Sequence, residues 1–296
     1  MIVERKLTLG FWLRLFLVTV VATYVGVIVF SALALTTMIT IPLKATLPPA
    51  GAGYENIQFR SANGLKLSGW YLPSRNGATI ILVHSYYGDR RQAMPVAEML
   101  ARHGYGILMY DQRASGESEG EVRSLGWLDI PDVSQAILYL QSRPGVDKNR
   151  IGVYGCSVGG AIGLAAAAGN QAISAVAADA PSPLTFDETY SPAGDPAWAV
   201  NLPIYTLYYH FVALRAWALP PISTGQAIRQ IAPRPLLLIS TGPGGELARI
   251  NRLFESAGEP KQHWNIPETG HCGGPSARPE EYEQHLVDFF DILLDD

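Results

Sequence analysis

A serine with a glycine two residues to either side, Gly155-Cys156-Ser157-Val158-Gly159, stands where the apolar run Arg150 to Tyr154 ends and the small-residue segment Gly160 to Ala168 begins. A strand that meets a helix at one residue turns so sharply that the flanking positions must be nearly free of side chains, which Gly155 and Gly159 satisfy. Such a turn lifts the serine oxygen above the sheet edge, where a histidine can take its proton and a helix N-terminus favours developing negative charge. A chain with 29 glycines can also carry this pentapeptide in an ordinary loop, so the partners decide. Of six histidines, His271 follows an apolar strand and lies in the small-residue loop Pro267 to Gly274, a placement suited to a base that swings over Ser157. His103 and His285 fall in expected helices, His210 in a long insertion and His263 at a strand start, where packing or surface roles suffice.

The elements that position these residues follow from hydrophobic periodicity. Ile57 to Arg60 and Leu65 to Leu72, joined by an Asn63-Gly64 turn, read as a β-hairpin. Continuous apolar runs then appear at Thr79 to His84, Gly106 to Tyr110, Ile151 to Tyr154, Ile173 to Ala178, Leu236 to Ser240 and His263 to Ile266. Helical patterns alternate with them at about Arg91 to His103, Leu128 to Ser142, Val158 to Ala168, Glu246 to Ala257 and Glu280 to Leu294. Alternation with fully apolar strands implies one α/β domain with a mostly parallel sheet covered on both faces. Residues 183–235 interrupt the alternation with many aromatics, among them Tyr190, Trp198, Tyr205 and Trp217, and are expected to form a cap over the strand ends or a patch on the sheet flank. The same aromatics suit contact with a membrane interface.

From Leu15 to Ile39 there are 25 positions without Asp, Glu, Lys or Arg. As a helix this run spans about 37 Å, enough to cross a bilayer core of roughly 30 Å with some tilt. A cleaved signal peptide ending at Ala32-Leu33-Ala34 is the rival reading, but the apolar run continues past that site, which favours a retained anchor. Arg5, Lys6 and Arg14 precede the run and only Lys44 closely follows, so the catalytic domain is expected outside the cytoplasm. The expected organisation is an anchor over 1–41, a linker over 42–53 and an α/β domain over 54–296 that carries the insertion at 183–235. With a net charge of −4 and no basic run, the chain lacks a nucleic-acid footprint. Two cysteines, Cys156 and Cys272, are too few for a disulfide framework and lack metal-ligand spacing. Their positions beside Ser157 and His271 are read as a preference for small residues.

From Tyr54 to Asp296 the chain resembles the α/β-hydrolase superfamily. Besides the serine turn, Ile81 to Gly88 resembles the strand and loop that supply half of an oxyanion hole, and Tyr110 to Ser118 resembles the Asp-x-Arg-Gly-x-Gly-x-Ser turn. The resemblance implies an α/β-hydrolase fold and the chain order nucleophile, acid, histidine. It implies oxyanion donors at the backbone amides of Tyr86 and Val158, with His84 structural. It also places the acid after the strand Leu236 to Ser240, where the first carboxylate is Glu246; Asp179, ending the preceding apolar run, is the alternative. Two departures stand out: Ser85 and Ala114 occupy positions where the family usually has glycine.

These readings converge on a serine hydrolase that forms an acyl-enzyme on an ester, thioester or amide, without metal or organic cofactor. Esters of apolar acyl groups suit the aromatic cap. A membrane-anchored peptidase and a non-catalytic interaction protein that keeps the fold are the alternatives. The expected partners are a small acyl substrate and the membrane.

Overall fold

Runs that are apolar at every position can satisfy their backbone only by pairing on both sides and covering both faces, which is how this chain folds. The computed structural model describes residues 8–191, 193–242 and 245–295; Arg5 and Lys6, used in the charge reading above, lie outside the described residues, as do Pro192 of the insertion and Asp296. Eight strands form the main sheet: β1 (Glu55–Arg60), β2 (Lys66–Leu72), β3 (Thr79–Val83), β4 (Gly106–Tyr110), β5 (Ile151–Cys156), β6 (Ala175–Asp179), β7 (Leu236–Thr241) and β8 (Lys261–Ile266). Their order is β8-β7-β6-β5-β3-β4-β2-β1. Only β1 with β2 and β2 with β4 pair antiparallel, and the rest of the sheet is parallel. This is the α/β-hydrolase fold. Strands β3, β4, β6 and β7 are buried at every residue, whereas the edge strand β1 alternates exposed and buried positions after its first residue.

Among the described residues, ten α-helices surround the sheet and its N-terminal extension: α1 (Leu9–Thr40), α2 (Met94–Arg102), α3 (Ile130–Gln141), α4 (Val158–Gly169), α5 (Phe186–Thr189), α6 (Trp198–Ala216), α7 (Thr224–Ile228), α8 (Gly245–Ser256), α9 (Gly274–Ala277) and α10 (Pro279–Phe290). One sheet face packs on Val133, Ile137, Ile162 and Ile250 of α3, α4 and α8. The other packs on Leu100 of α2 and on Leu286 and Phe290 of α10. Helices α5, α6 and α7 lie between β6 and β7.

Helix α1 begins six residues before the expected Leu15 and takes in Arg14. Arg14 is its one charged residue, and its most apolar 18-residue stretch has a mean hydropathy of 2.4. Residues 9–27 are exposed on every side, while Ile28, Ala32, Thr36 and Thr40 are buried. A spacing of four puts those residues on one stripe, which packs along α6. The hydroxyls of Thr36 and Thr40 donate to the carbonyls of Ala32 and Thr36, at 2.8 and 2.7 Å, so the stripe carries no unpaired polar group there. After the helix, Leu43 and Lys44 pair in parallel with Ser115 and Gly116.

Candidate active site

The turn at Ser157 needs both of its glycines. A Cβ on Gly155 would lie 2.3 Å from the Gly159 carbonyl carbon, and one on Gly159 would lie 2.2 Å from the Val83 oxygen. Ser157 itself has φ 57° and ψ −122°, a conformation that costs a non-glycine residue of order 1–3 kcal/mol. Hydrogen bonds hold it there: its amide donates to the Asp179 carbonyl at 2.8 Å, and its carbonyl accepts from the Ser182 amide at 3.0 Å and the Ala161 amide at 3.1 Å. Helix α4 starts at the next residue, so the Val158 amide is among the N-terminal donors that have no intrahelical carbonyl.

Glu246, in the first turn of α8, and His271, in the loop after β8, are 25 residues apart and meet. The imidazole Nδ1 donates to Glu246 Oε2 at 2.7 Å, which leaves Nε2 as the outward nitrogen. The other carboxylate oxygen, Oε1, accepts from the Thr241 amide at 2.7 Å and from its hydroxyl at 3.2 Å. Burial alone would raise the Glu246 pKa, but the bonds from His271 and Thr241 outweigh it and hold the carboxyl below its ordinary range. Thr241 Oγ1 also accepts from the Cys272 amide at 3.0 Å, so one threonine braces both the carboxylate and the histidine loop.

Asp179 occupies a different position. Its side chain is fully buried, and Oδ2 accepts from the Tyr282 hydroxyl at 2.8 Å. Tyr282 in turn pairs with the Tyr154 hydroxyl at 2.8 Å. Burial pushes the carboxyl up to about 7, and Oδ1 has no partner among the described residues. Asp179 is therefore engaged by Tyr282 beneath the site, while the histidine is engaged by Glu246.

The reading of the two cysteines as coincidental small residues is overturned: Cys156 and Cys272 form a disulfide. They are 116 positions apart, a separation at which no local pattern marks a pair. The bond ties the residue before Ser157 to the residue after His271. A second residue escaped the sequence reading. Ser182 lies 3.0 Å from Ser157, hydroxyl to hydroxyl, and its only signal is its place just after β6. In this structure the Ser157 hydroxyl pairs with Ser182 and not with His271.

The loop after β3 shows what Ser85 does in place of glycine. Its hydroxyl donates to Gln92 Oε1 at 2.9 Å, and the Gln92 amide donates to the Tyr87 carbonyl at 3.1 Å. The loop around Tyr86 is thus clamped from outside, and the Tyr86 amide has no protein acceptor among the described residues. His84 is buried, and burial lowers its pKa to about 4. As a neutral ring it accepts from the Gln112 amide at 2.9 Å, a structural role. Ala114 takes the left-handed backbone, φ 55°, that glycine would adopt more cheaply. Beside this loop a cavity of about 330 Å³ is lined by His84, Ser85, Cys156, His271 and Cys272.

Comparison with known proteins bears on this geometry. Residues 68–235 match the model of the X-Pro dipeptidyl-peptidase family, S15. The chain belongs to the S15 family. The S15 match includes Ser157, Ser182 and the loop at Tyr86 but stops short of Glu246 and His271. The uncharacterized protein YfhR of Escherichia coli (strain K12) is 27% identical over 247 residues, covering 79% of this chain and 80% of YfhR. The quorum-quenching protein AidA of Acinetobacter baumannii is 32% identical over 204 residues, covering 66% of this chain and 60% of AidA. Among solved structures, the Pyrococcus furiosus esterase Pf2001 has a TM-score of 0.70 at 23% identity, covering 86% of this chain and 99% of that one. At that identity the likeness concerns the fold. With the S15 match, it makes this protein a hydrolase of the α/β-hydrolase fold.

Proposed function

We propose that this protein is a membrane-anchored serine hydrolase that cleaves esters of apolar acyl groups through an acyl-enzyme. The observation that carries the reading is the 2.7 Å pair of His271 Nδ1 and Glu246 Oε2, held by a disulfide beside a serine in strained backbone. Ser157 rotates from Ser182 toward His271 Nε2, gives up its proton and attacks the substrate carbonyl. Glu246 fixes the tautomer and favours the imidazolium. The amides of Tyr86 and Val158 receive the oxyanion. His271 protonates the leaving alkoxide, and a water deprotonated by the same nitrogen then releases the acid.

A peptidase of the same fold is the second reading, and the S15 match favours it. Removal of an X-Pro dipeptide requires a free carboxylate for the substrate's N-terminal ammonium. Glu188 of α5, linked to Ser182 through Thr224, is already taken by the amides of Thr224 and Gly225 at 3.0 and 2.9 Å. Glu188 therefore does not offer that carboxylate.

The retained anchor is supported by how α1 ends. Tyr86 donates its hydroxyl to the Ile39 carbonyl, and the Arg123 amide donates to the Thr40 carbonyl at 3.1 Å. Cleavage after Ala34 would leave this last turn without the helix that supports it. The disulfide favours an oxidising, extracytoplasmic location for the domain.

A fluorophosphonate probe tests the reading on the full chain in membranes. Labelling of wild type that vanishes in Ser157→Ala is expected. A folded wild type that stays unlabelled would favour a non-catalytic binding protein. Hydrolysis of X-Pro anilides in preference to octanoyl esters would favour the peptidase.

A further inference from the structure

Between α1 and α6 lies a cleft of about 420 Å³, separate from the cavity at His271. Phe30, Ala34, Leu35 and Met38 line it from α1, and Ile204 and Tyr205 from α6. Ser31 and Asn201 are its other polar members. The helices run in the same direction, because Tyr24 donates to the Ala199 carbonyl while Thr36, further along α1, donates to the Tyr208 carbonyl at 3.5 Å. From Phe30 to Met38 the α1 wall extends about 12 Å.

The two ends of the cleft differ. Toward the N-terminus of α1 it opens beside residues that are exposed on every side and apolar, a surface suited to hydrocarbon. Helix α6 continues that surface: Trp198 and Val200 are exposed, and Arg215 is the one Lys, Arg, Asp or Glu among its 19 residues. Toward the C-terminus of α1 the cleft wall ends at Met38, and the carbonyl of the next residue, Ile39, accepts the Tyr86 hydroxyl. Tyr208 packs in one apolar cluster with Leu35, Ile39 and Tyr205. The cleft thus extends from the membrane-facing surface toward Ile39, the residue that holds the Tyr86 side chain.

We infer that this cleft holds the acyl chain of the ester cleaved at Ser157, so that the anchor helix forms one wall of the substrate site. The inference rests on the hydrolase reading and adds the location of the acyl group. A bulky side chain in the cleft should then change chain-length preference, because each methylene moved from water into it favours binding about fourfold.

The test uses the full chain in phosphatidylcholine nanodiscs with p-nitrophenyl acetate and p-nitrophenyl octanoate. In Ala34→Trp and Ile204→Trp the octanoate-to-acetate ratio of kcat/KM should fall at least tenfold. In Met38→Ala, which enlarges the cleft, preference should shift to longer chains. Ratios within twofold of wild type in all three variants would overturn the inference. A second measurement does not depend on turnover. An octanoyl ester with a terminal diazirine, irradiated with the Ser157→Ala chain, should cross-link within residues 30–38 and 201–205 and be displaced by excess unlabelled ester. Cross-links confined to residues 9–27 would identify bystander lipid and overturn it. If wild type cleaves neither ester and no fluorophosphonate labels Ser157, the hydrolase reading fails, and the cross-link alone decides whether the cleft binds an acyl chain.

Discussion

The sulfurs of Cys156 and Cys272 are bonded to each other, so the strand that presents Ser157 and the loop that presents His271 are one covalent unit at the point where they approach. The histidine loop has few other constraints. The His271 side chain is 51% exposed, and glycines stand at 270, 273 and 274.

Removing the bond should therefore cost both activity and stability. A loop of 116 residues corresponds to about 4 to 5 kcal/mol of chain entropy in the unfolded state, and 2 to 4 kcal/mol is the usual yield. Cys156→Ser with Cys272→Ser should lower kcat/KM at least tenfold and reduce the melting temperature by several degrees. Unchanged values of both would show that the bond positions nothing.

Glu246→Gln should reduce kcat by about 10³ to 10⁴, because the amide cannot stabilise an imidazolium and favours the wrong tautomer. Asp179→Asn should stay within tenfold of wild type, since Asp179 engages Tyr282 instead of the base. The opposite ranking in steady-state kinetics would transfer the acid role to Asp179.

Burial raises Asp179 from its ordinary 3.8 to about 7. Between about pH 4 and 7 the folded chain keeps a proton that the unfolded chain releases, so this group's contribution to stability falls as pH rises and levels off above about 7. Asp129, also pushed up to about 7 by burial, acts with the same sign. Asparagine at 179 can still accept from Tyr282 but does not ionise. The melting temperature of Asp179→Asn minus that of wild type should increase from pH 5 to pH 8. A difference that does not vary with pH would refute the assignment.

Ser182→Ala removes the partner that competes with His271 for the Ser157 hydroxyl. A neutral hydrogen bond has a net value of about 0.5 to 1.5 kcal/mol, so fluorophosphonate labelling should speed up about two- to tenfold. Slower labelling would mean that Ser182 assists the nucleophile.

Features that depend on neighbours along the chain are legible without coordinates. The serine turn is legible because its glycines stand two positions away and the apolar strand and small-residue helix adjoin it. The parallel sheet is legible because strands covered on both faces must be apolar throughout, so that β4 matches its expected run, Gly106 to Tyr110, residue for residue. The histidine loop could be proposed from its place after a strand. Which distant groups meet depends on the folded arrangement. Glu246 and Asp179 are both carboxylates after apolar strands, and what separates them is that one reaches His271 while the other is buried under Tyr282. The disulfide and the Ser182 contact depend on how β5, β6 and the histidine loop converge, and a pairing across 116 residues leaves no periodic trace. The stripe of Ile28, Ala32, Thr36 and Thr40 on α1 is hidden in a segment apolar on all sides, so its packing on α6 appears only in three dimensions.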